Sequence, residues 1–348
     1  MIITRTPFRV SFFGGGTDYP VWYQAQRGAV LATTINKYCY ISARWLPPFF
    51  DHISRIVWSK IEQVRSTEEI QHPSVRETLK FLGISQGIEL HHDGDLPART
   101  GLGSSSSFTV GLLHALYGLQ GRMPSKAQLA RDAIHVEQQL LREHVGSQDQ
   151  VLAAHGGLSR VEFNPDGRFH VAPVILDDDR LRRLQDHLML FFTGISRIAS
   201  EIAAEQIRAT AERTDELRAM YALVDEAMAV LQSREDLEAF GRLLHESWML
   251  KKRLTEKISN PHIDALYETA RHAGAIGGKL LGAGGGGFVL LFVRPEQQAR
   301  VRDALDGLLC VPFRFEASGS RVIFYEPDES FSPSARPPAA EPAVMEPA

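Results

Sequence analysis

The stretch LPARTGLGSSSSFTVG, residues 96–111, places Gly101, Gly103 and four consecutive serines directly before an apolar segment. Glycine permits a positive φ and lets the backbone approach a ligand closely. The first turn of a helix leaves backbone N–H groups free and carries a partial positive charge, so these features together form a cradle for phosphate. The stretch matches neither GxGxxG nor GxxxxGK[ST], and taken alone it is equally compatible with an ordinary flexible loop.

Two further segments are rich in glycine. In TPFRVSFFGGGTDYP, residues 6–20, a strand-like run ends in three glycines that precede Thr17 and Asp18. In KLLGAGGGGFVLL, residues 279–291, five of the six residues from 282 to 287 are glycine. Such a segment is entropically costly to order, which favours a use such as close contact with a ligand. The alternatives are a Gly-Asp turn for the first segment, and a flexible hairpin or a tight backbone contact for the second.

Two acidic residues stand in positions that need an explanation. On the helix predicted over 126–143, Glu137 falls in the same i, i+4 row as Leu129 and Ala133. A carboxylate on the core side of a helix is costly unless it is paired or bound to a cation. Asp149 lies just beyond this helix, between two glutamines. An ion pair with an arginine is the alternative for Glu137, and a solvated or capping role is the alternative for Asp149.

Composition restricts the class of protein. The chain has 348 residues, 44% hydrophobic and 23% charged, as expected for one large or two ordinary globular domains. The net charge of -4 gives no electrostatic reason to expect nucleic acid or an anionic membrane as a partner. Cys39 and Cys310 lack metal-ligand spacing, and such low cysteine use fits a reducing cytosol. No apolar run reaches the roughly 20 residues that cross a bilayer, and no signal-peptide pattern is present, so we expect a cytoplasmic protein.

The hydrophobic periodicity alternates between strands and helices, which predicts an α+β fold. It predicts strands at 8–13, 29–35, 38–43, 87–92 and 157–163, and helices at 108–119 and 126–143. In the second half it predicts a strand at 187–193, helical stretches at 199–232 and 235–256, a helix from Asn260-Pro261 and another at 295–308, and strands at 311–316 and 320–325. The loop-like LDDDR, residues 176–180, marks the predicted domain boundary, and the tail 331–348 is predicted to be disordered.

Taken together, PFRVSFFGGGTDYP (7–20), PARTGLGSSSS (97–107) and KLLGAGGGGF (279–288) resemble the three ordered motifs of the GHMP kinase superfamily. The resemblance covers about residues 1–327. It implies a two-domain fold, with a ribosomal-S5-domain-2-like N-terminal domain and a ferredoxin-like C-terminal domain that has extra helices. The expected division is an ATP-binding domain at 1–180, a C-terminal domain at 181–330 and the tail at 331–348.

Within the superfamily, GGGTDYP, ISNP (258–261) and GGKLLGAGGGGF resemble the bacterial sugar-1-kinase branch, which contains D-glycero-D-manno-heptose 7-phosphate kinase and relatives of L-fucose kinase. Galactokinases usually have Glu-His where this chain has Gly15 and Gly16, which argues against galactose. The resemblance implies transfer of a phosphoryl group from ATP to the anomeric hydroxyl of a sugar or sugar phosphate, with heptose 7-phosphate as the expected acceptor. L-fucose or another unphosphorylated sugar, a GHMP-type decarboxylase and a non-catalytic binding module are the alternatives.

The resemblance also implies where the nucleotide and its metal bind. The residues expected to wrap the ATP phosphates are Gly101, Leu102, Gly103, Ser104, Ser105 and Ser106. Ser105 and Glu137 would hold Mg²⁺, which would also explain an acid on the apolar side of a helix.

The resemblance assigns chemistry to the remaining motif residues. Asp149 would act as the catalytic base, Arg9 would lie near the transferred phosphoryl group, and Asp18 would bind the sugar. The other residues expected at the substrate are Gly16, Thr17, Gly284, Gly285 and Gly286. A phosphate carried by the sugar would need cations, for which the candidates are Lys37, Arg99, Lys251, Lys252 and Arg197. The helices between 199 and 256 leave a homodimer interface and packing within the domain open.

Overall fold

The computed structural model of the chain describes residues 1–98, 100–195, 199–234 and 236–327. The first half has these elements, in chain order: β1 (Ile2–Phe13), α1 (Pro20–Tyr23), β2 (Gly28–Trp45), β3 (Ser54–Val57), β4 (Ile61–Val64), α2 (Pro73–Phe81), β5 (Ile88–Gly94), α3 (Ser104–Leu119), α4 (Lys126–His135), α5 (Gln148–His155), β6 (Ser159–Phe163) and β7 (Phe169–Pro173).

The second half has α6 (Asp178–Asp186), β8 (Leu188–Phe192), α7 (Ala199–Ala209), α8 (Thr214–Gln232), α9 (Glu238–Lys252), α10 (Pro261–His272), β9 (Ala275–Leu280), β10 (Phe288–Val293), α11 (Gln298–Ala304), β11 (Leu309–Cys310), β12 (Phe315–Glu316) and β13 (Arg321–Tyr325). In the described part of the chain, no helix is both long and apolar enough to cross a lipid bilayer.

Two β-sheets organise the molecule. The first has the order β13-β1-β2-β5-β3-β4, and β2 also pairs with β6 and β12. The second is antiparallel, with the order β11-β8-β10-β9. Helix α3 packs on β1 and β2, whereas α9 packs on β9 and also contacts α8. This is the α+β architecture that the sequence predicts.

The C-terminal strands belong to the first sheet. β13 pairs antiparallel with β1, and β12 pairs antiparallel with β2. The expected division at residue 180 assigned residues 315–325 to the second domain, whereas the structure pairs both strands with the first sheet. There the two strands pair with backbone donors and acceptors of β1 and β2. The predicted tail at 331–348 lies outside the described residues.

Helix α3 is held firmly enough to fix the position of its first turn. From Ser106 to Leu113 every residue is buried, because one face packs on β1 and β2 while others contact α4 and α5. The hydroxyls near its start bond to the first strand: Ser107 Oγ donates to the carbonyl of Pro7 at 2.9 Å. The loop before α3 is thereby set against β1, where the first glycine motif begins.

Candidate active site

The glycine and serine loop adopts the conformation that its sequence predicts. Gly101 and Gly103 have φ values of 84° and 75°, in the left-handed region that glycine occupies without strain. Gly103 is the N-cap residue of α3, so the first helical turn begins at the serines. The start of a helix presents N–H groups that the helix itself does not satisfy, together with its positive dipole end. The loop can therefore hold an anion.

The glycine-rich segments 96–111 and 279–291 lie backbone to backbone. A Cβ at Gly101 would stand 2.6 Å from the carbonyl oxygen of Leu281, and a Cβ at Gly282 would overlap Gly101. The amide of Phe288 donates to the carbonyl of Thr100 at 3.2 Å. Glycine is required at these positions because a side chain would not fit. A tight backbone contact is one of the alternatives that the sequence left open for residues 279–291.

The three glycines expected at the substrate lie elsewhere. A Cβ at Gly284 would stand 2.8 Å from Cα of Ile258, and the amide of Gly285 donates to the carbonyl of Ile258 at 2.9 Å. A Cβ at Gly286 would lie 2.8 Å from the carbonyl oxygen of Ile195. Because these glycines pack against neighbouring backbone, none of them lines the cleft, in contrast to the expectation that they close over the substrate.

Arg9 and Asp149 form a bidentate ion pair beneath the loop. Arg9 projects from β1, and Asp149 stands in the first turn of α5. Nε and Nη2 of Arg9 donate to Oδ1 and Oδ2 of Asp149 at 2.7 and 2.8 Å, and Nη1 donates to the carbonyl of Gly101 at 2.6 Å. Arg9 is buried, whereas the side chain of Asp149 is 23% exposed. The carboxylate is thus fixed in orientation and still open to a ligand.

Asp18 is hydrogen-bonded to Gln148, the residue before Asp149. Its Oδ1 accepts from the amide of Gly16 at 2.9 Å, and its Oδ2 accepts from Nε2 of Gln148 at 3.0 Å. Burial raises the pKa of Asp18, and the nearby charge of Asp149 adds to this, while the hydrogen bonds oppose it. Thr17 does not reach the cleft, because its hydroxyl donates to the carbonyls of Gly14 and Ala29.

Glu137 is fully buried behind the serine turn. It lies on a π-helical turn, Val136–Leu140, that interrupts the predicted helix 126–143. Its Oε2 accepts from Oγ of Ser106 at 2.8 Å and from Nε2 of Gln150. Ser106, rather than the exposed Ser105, makes this contact, although both serines line the cleft. Burial raises the pKa of Glu137 to about 7.

The residues around Glu137 fit a divalent cation. Oε1 of Glu137 is buried and has no partner within the described ranges. A buried, unsatisfied acceptor needs an explanation, and a bound cation provides one. Mg²⁺ is typically held by one or two carboxylates together with substrate phosphates. The carboxylate, separated from the phosphate loop only by Ser106, is suited to that arrangement.

The cleft between these elements is open to solvent and has a cavity volume of about 150 Å³. The sequence-predicted residues that line it are Arg9, Gly16, Asp18, Gly101, Gly103, Ser104, Ser105, Ser106 and Asp149. Leu102 points into the core instead, and Glu137 lies one side chain behind the surface. These nine predicted residues therefore meet in a single cavity, although they come from distant parts of the chain.

Sequence reasoning missed Lys279 and did not rank Lys251. Both are buried and both line the cleft. The signal was present, because Lys279 stands in an otherwise apolar strand and Lys251 follows Leu244 and Trp248 on the apolar face of α9. Of the other cation candidates, Lys37 lines a separate groove and Lys252 pairs with Asp264 at 3.1 Å. Arg99 and Arg197 lie outside the described residues.

Two protein-family models match parts of the chain. Residues 71–157 match the family model for the GHMP kinases N terminal domain, and residues 219–308 match the model for GHMP kinases C terminal. The chain is 30% identical, over 87% of its length and 93% of the relative's, to D-glycero-alpha-D-manno-heptose 7-phosphate kinase of Campylobacter jejuni. It is 28% identical to L-fucokinase/L-fucose-1-P guanylyltransferase of Bacteroides fragilis, over 86% of this chain and 35% of that protein.

A solved structure has the same fold. The D-glycero-D-manno-heptose 1-phosphate kinase from Bacteroides thetaiotaomicron superposes with a TM-score of 0.75 at 22% identity, over 94% of this chain and 100% of that chain. One assignment follows from the sequence identity and coverage, from the matches to both family models and from the shared fold. The chain belongs to the GHMP kinases, and it is a phosphotransferase that acts on an alcohol group.

Proposed function

We propose that the chain transfers the γ-phosphoryl group of ATP to the anomeric hydroxyl of a sugar, with D-glycero-D-manno-heptose 7-phosphate as the acceptor and the 1,7-bisphosphate as the product. The observation that carries this proposal is the Arg9–Asp149 pair at the junction of the phosphate loop and the cleft. Phosphoryl transfer depends mainly on positioning and on charge stabilisation, and this pair supplies both at one point.

Asp149 is the residue assigned to the acceptor hydroxyl. Each carboxylate oxygen has two lone-pair sites, so Oδ1 and Oδ2 can accept from Arg9 and still accept a further hydrogen bond. The hydroxyl oxygen forms a bond to the γ-phosphorus while the bond to the ADP oxygen breaks, and the hydroxyl proton passes to Asp149. Arg9 holds the carboxylate in place and provides positive charge beside the phosphoryl group.

The start of α3 is assigned to the nucleotide phosphates. The turn from Gly101 to Ser106 provides backbone N–H groups, hydroxyls and the positive end of the helix dipole. Glu137, together with Ser105 or Ser106, would hold Mg²⁺. The ion supplies charge neutralisation for the β- and γ-phosphate oxygens. The chain's own residues hold these groups in place before substrate arrives, so the site does not have to reorganise when the transition state forms.

Asp18 is assigned to the sugar hydroxyls. It faces the same cavity as Asp149, and Gln148, which precedes Asp149, holds its carboxylate through Nε2. A carboxylate held in this way accepts hydrogen bonds from sugar hydroxyls and thereby places the anomeric oxygen. The heptose acceptor is supported by the similarity to the Campylobacter jejuni kinase. The Bacteroides fragilis relative makes L-fucose the second candidate.

An ATP-turnover assay against a panel of sugars and sugar phosphates tests the proposal. The panel should include heptose 7-phosphate, the same heptose without phosphate, L-fucose and galactose, each with and without Mg²⁺. We expect heptose 7-phosphate to give the highest kcat/KM and omission of Mg²⁺ to abolish turnover. Preference for L-fucose would favour the second candidate. Turnover of none of these sugars, in protein that binds ATP, would contradict the assignment as a sugar kinase.

A further inference from the structure

Among the residues that the structure describes, three buried cationic side chains line the cleft, and the proposed mechanism uses only one of them. Arg9 is 4% exposed, Lys251 is 6% exposed and Lys279 is 2% exposed. Arg9 already donates to the carboxylate of Asp149 and to the carbonyl of Gly101. The two lysines enter from the second half of the chain, Lys251 from the last turn of α9 and Lys279 from β9.

The two ammonium groups are held by neutral acceptors. Nζ of Lys279 donates to the carbonyl of Phe12 at 2.8 Å. Nζ of Lys251 donates to the carbonyl of Leu280 at 3.3 Å and to that of Gly282. Throughout the described ranges, the hydrogen-bond partners of both groups are thus carbonyl oxygens and not carboxylates. An ammonium group has three donors, so each lysine retains capacity for a further acceptor.

The burial of these lysines is costly without an anion. Desolvation and, to a smaller extent, the charge of Arg9 lower the pKa of Lys251 to about 7. Desolvation and the charges of Lys251 and Arg9 lower the pKa of Lys279 well below its usual range. Buried charges are normally paired or bound to a ligand. Lysines at the wall of a cavity can be paired by what enters the cavity.

We propose that Lys251 and Lys279 form a subsite for a phosphate group carried by the sugar acceptor itself, separate from the nucleotide phosphates at the start of α3. The inference rests on the proposed function, since it concerns the acceptor of that reaction. A phosphate monoester carries close to two negative charges near neutral pH and presents strong acceptor oxygens, which matches two ammonium groups. The hydroxyl of Ser11, which is buried, lacks a partner in the described ranges and lines the same cavity, provides a further donor.

The surroundings of the lysines favour the acceptor over the nucleotide. The carboxylate whose charge acts on both lysines is Asp18, the residue assigned to sugar hydroxyls. The nucleotide phosphates already have the helix start and its serines as partners. A sugar held between Asp18 and Asp149 would present its anomeric end to Asp149 and direct the rest of its chain along the cleft wall that contains the two lysines. The site then selects sugars that carry a phosphate.

Paired substrates test this inference. The value of kcat/KM is measured at saturating ATP for heptose 7-phosphate and for the same heptose without phosphate, in the wild type and in Lys251→Met and Lys279→Met. Methionine keeps the length and packing of the side chain and removes the charge. Lys252→Met is the matched control, because Lys252 lies next to Lys251 on α9 but pairs with Asp264 outside the cleft.

We expect each cleft variant to lower kcat/KM for the phosphorylated sugar at least about tenfold and to leave the unphosphorylated sugar within about twofold, as for loss of a hydrogen bond to a charged group. The ratio of the two values on one preparation does not depend on the fraction of active protein. Equal losses for both sugars, or a loss confined to the KM for ATP, would overturn the inference, since the lysines would then serve the nucleotide.

Calorimetric titration of both sugars in the absence of nucleotide separates this inference from the proposed function. Tighter binding of the phosphorylated sugar to the wild type, with the preference lost in Lys251→Met and Lys279→Met, supports the subsite even if neither sugar is turned over. Absence of turnover contradicts the proposed function alone. No preference for the phosphorylated sugar in the wild type contradicts the subsite.

Discussion

Gly146 lies directly against the carboxylate of Asp18, so that a methyl group on Gly146 would overlap Oδ2. The adjacent amide of Ser147 donates to the backbone oxygen of Asp18 at 2.9 Å. The loop before α5 therefore closes over Asp18 only because residue 146 has no side chain. The structure thereby connects Gly146 to the glycine segment 6–20, which contains Asp18.

We expect Gly146→Ala to weaken sugar binding by displacing Asp18. The φ of Gly146 lies outside the left-handed region, so the substitution adds a methyl group without backbone strain. KM for the sugar should rise at least about tenfold while KM for ATP changes little. Gly94→Ala is the control, since a Cβ there would meet no atom nearer than 3.5 Å. Equal effects of the two substitutions would contradict the role of Gly146.

Asp149→Asn should lower kcat at least about tenfold, because the amide cannot take the hydroxyl proton. Oδ1 and Oδ2 of Asp149 now accept from Arg9, and asparagine offers only one of these acceptors. Steady-state kinetics give kcat, and titration with a non-hydrolysable ATP analogue checks that the nucleotide still binds. Turnover close to that of the wild type would exclude Asp149 as the base.

Glu137→Gln should raise the Mg²⁺ concentration needed for half-maximal rate at least about tenfold, because a neutral amide is a weaker ligand than a carboxylate. Magnesium titrations at fixed ATP measure this, with Mn²⁺ binding beside an ATP analogue as a second measurement. Ser106→Ala and Ser105→Ala are compared in the same titration. A larger effect of Ser106→Ala would follow from its contact with Glu137, whereas a larger effect of Ser105→Ala would favour Ser105 as the ligand.

The stability of the ligand-free protein should rise with pH above 7 because of Lys251. Its pKa is about 7 in the folded chain, against an ordinary value of 10.5, so between these values the unfolded chain binds the extra proton. The free energy of unfolding of the wild type, relative to Lys251→Met, should therefore increase by about 1–3 kcal/mol from pH 7 to pH 9. Urea unfolding at both pH values measures it, with Lys252→Met as the control. Parallel behaviour of wild type and Lys251→Met would contradict this prediction.

Thr17→Val should destabilise the fold by about 1–3 kcal/mol and leave the sugar KM within about twofold, because the Thr17 hydroxyl serves the backbone and not the cleft. It donates to the carbonyls of Gly14 and Ala29 and accepts from the amide of Ala29. Urea unfolding and steady-state kinetics on the same preparation measure the two effects. A large rise in KM at unchanged stability would restore Thr17 to the substrate site.

Periodicity predicted most of the elements, and it failed where distant segments decide the local structure. The sequence suggested two strands at 29–35 and 38–43, separated by the polar pair Asn36-Lys37. The structure has one continuous strand, in which Asn36 is bonded to Arg314. The backbone N–H of Asn36 donates to the carbonyl of Arg314, and the backbone N–H of Arg314 donates to Oδ1 of Asn36. The predicted helix 126–143 ends early because a π-helical turn brings Glu137 to the serines.

The site residues that belong to a sequence motif were predictable, whereas those that tertiary packing brings to the site were not. Arg9 and Asp149, which meet although they are far apart in sequence, were both assigned from motif residues. Lys279 was quoted within a motif but not singled out. The apolar residues around it in β9 were the available signal, but its place at the cleft depends on the tertiary packing of β9. The glycines at 284–286 were misplaced for the converse reason, because glycine serves backbone packing as readily as ligand contact.

During synthesis, β1 emerges from the ribosome before β13, which pairs with Ile2, Ile3, Thr4 and Arg5 of β1. Until β13 emerges, these four residues of β1 have unpaired N–H and C=O groups on the side that β13 later covers. Open edges of this kind recruit strands from other chains, and pairing across so long a separation is slow. The nascent protein is therefore most exposed to aggregation in the interval before residues 321–325 become available, and a chaperone that shields the first strand would act in that interval.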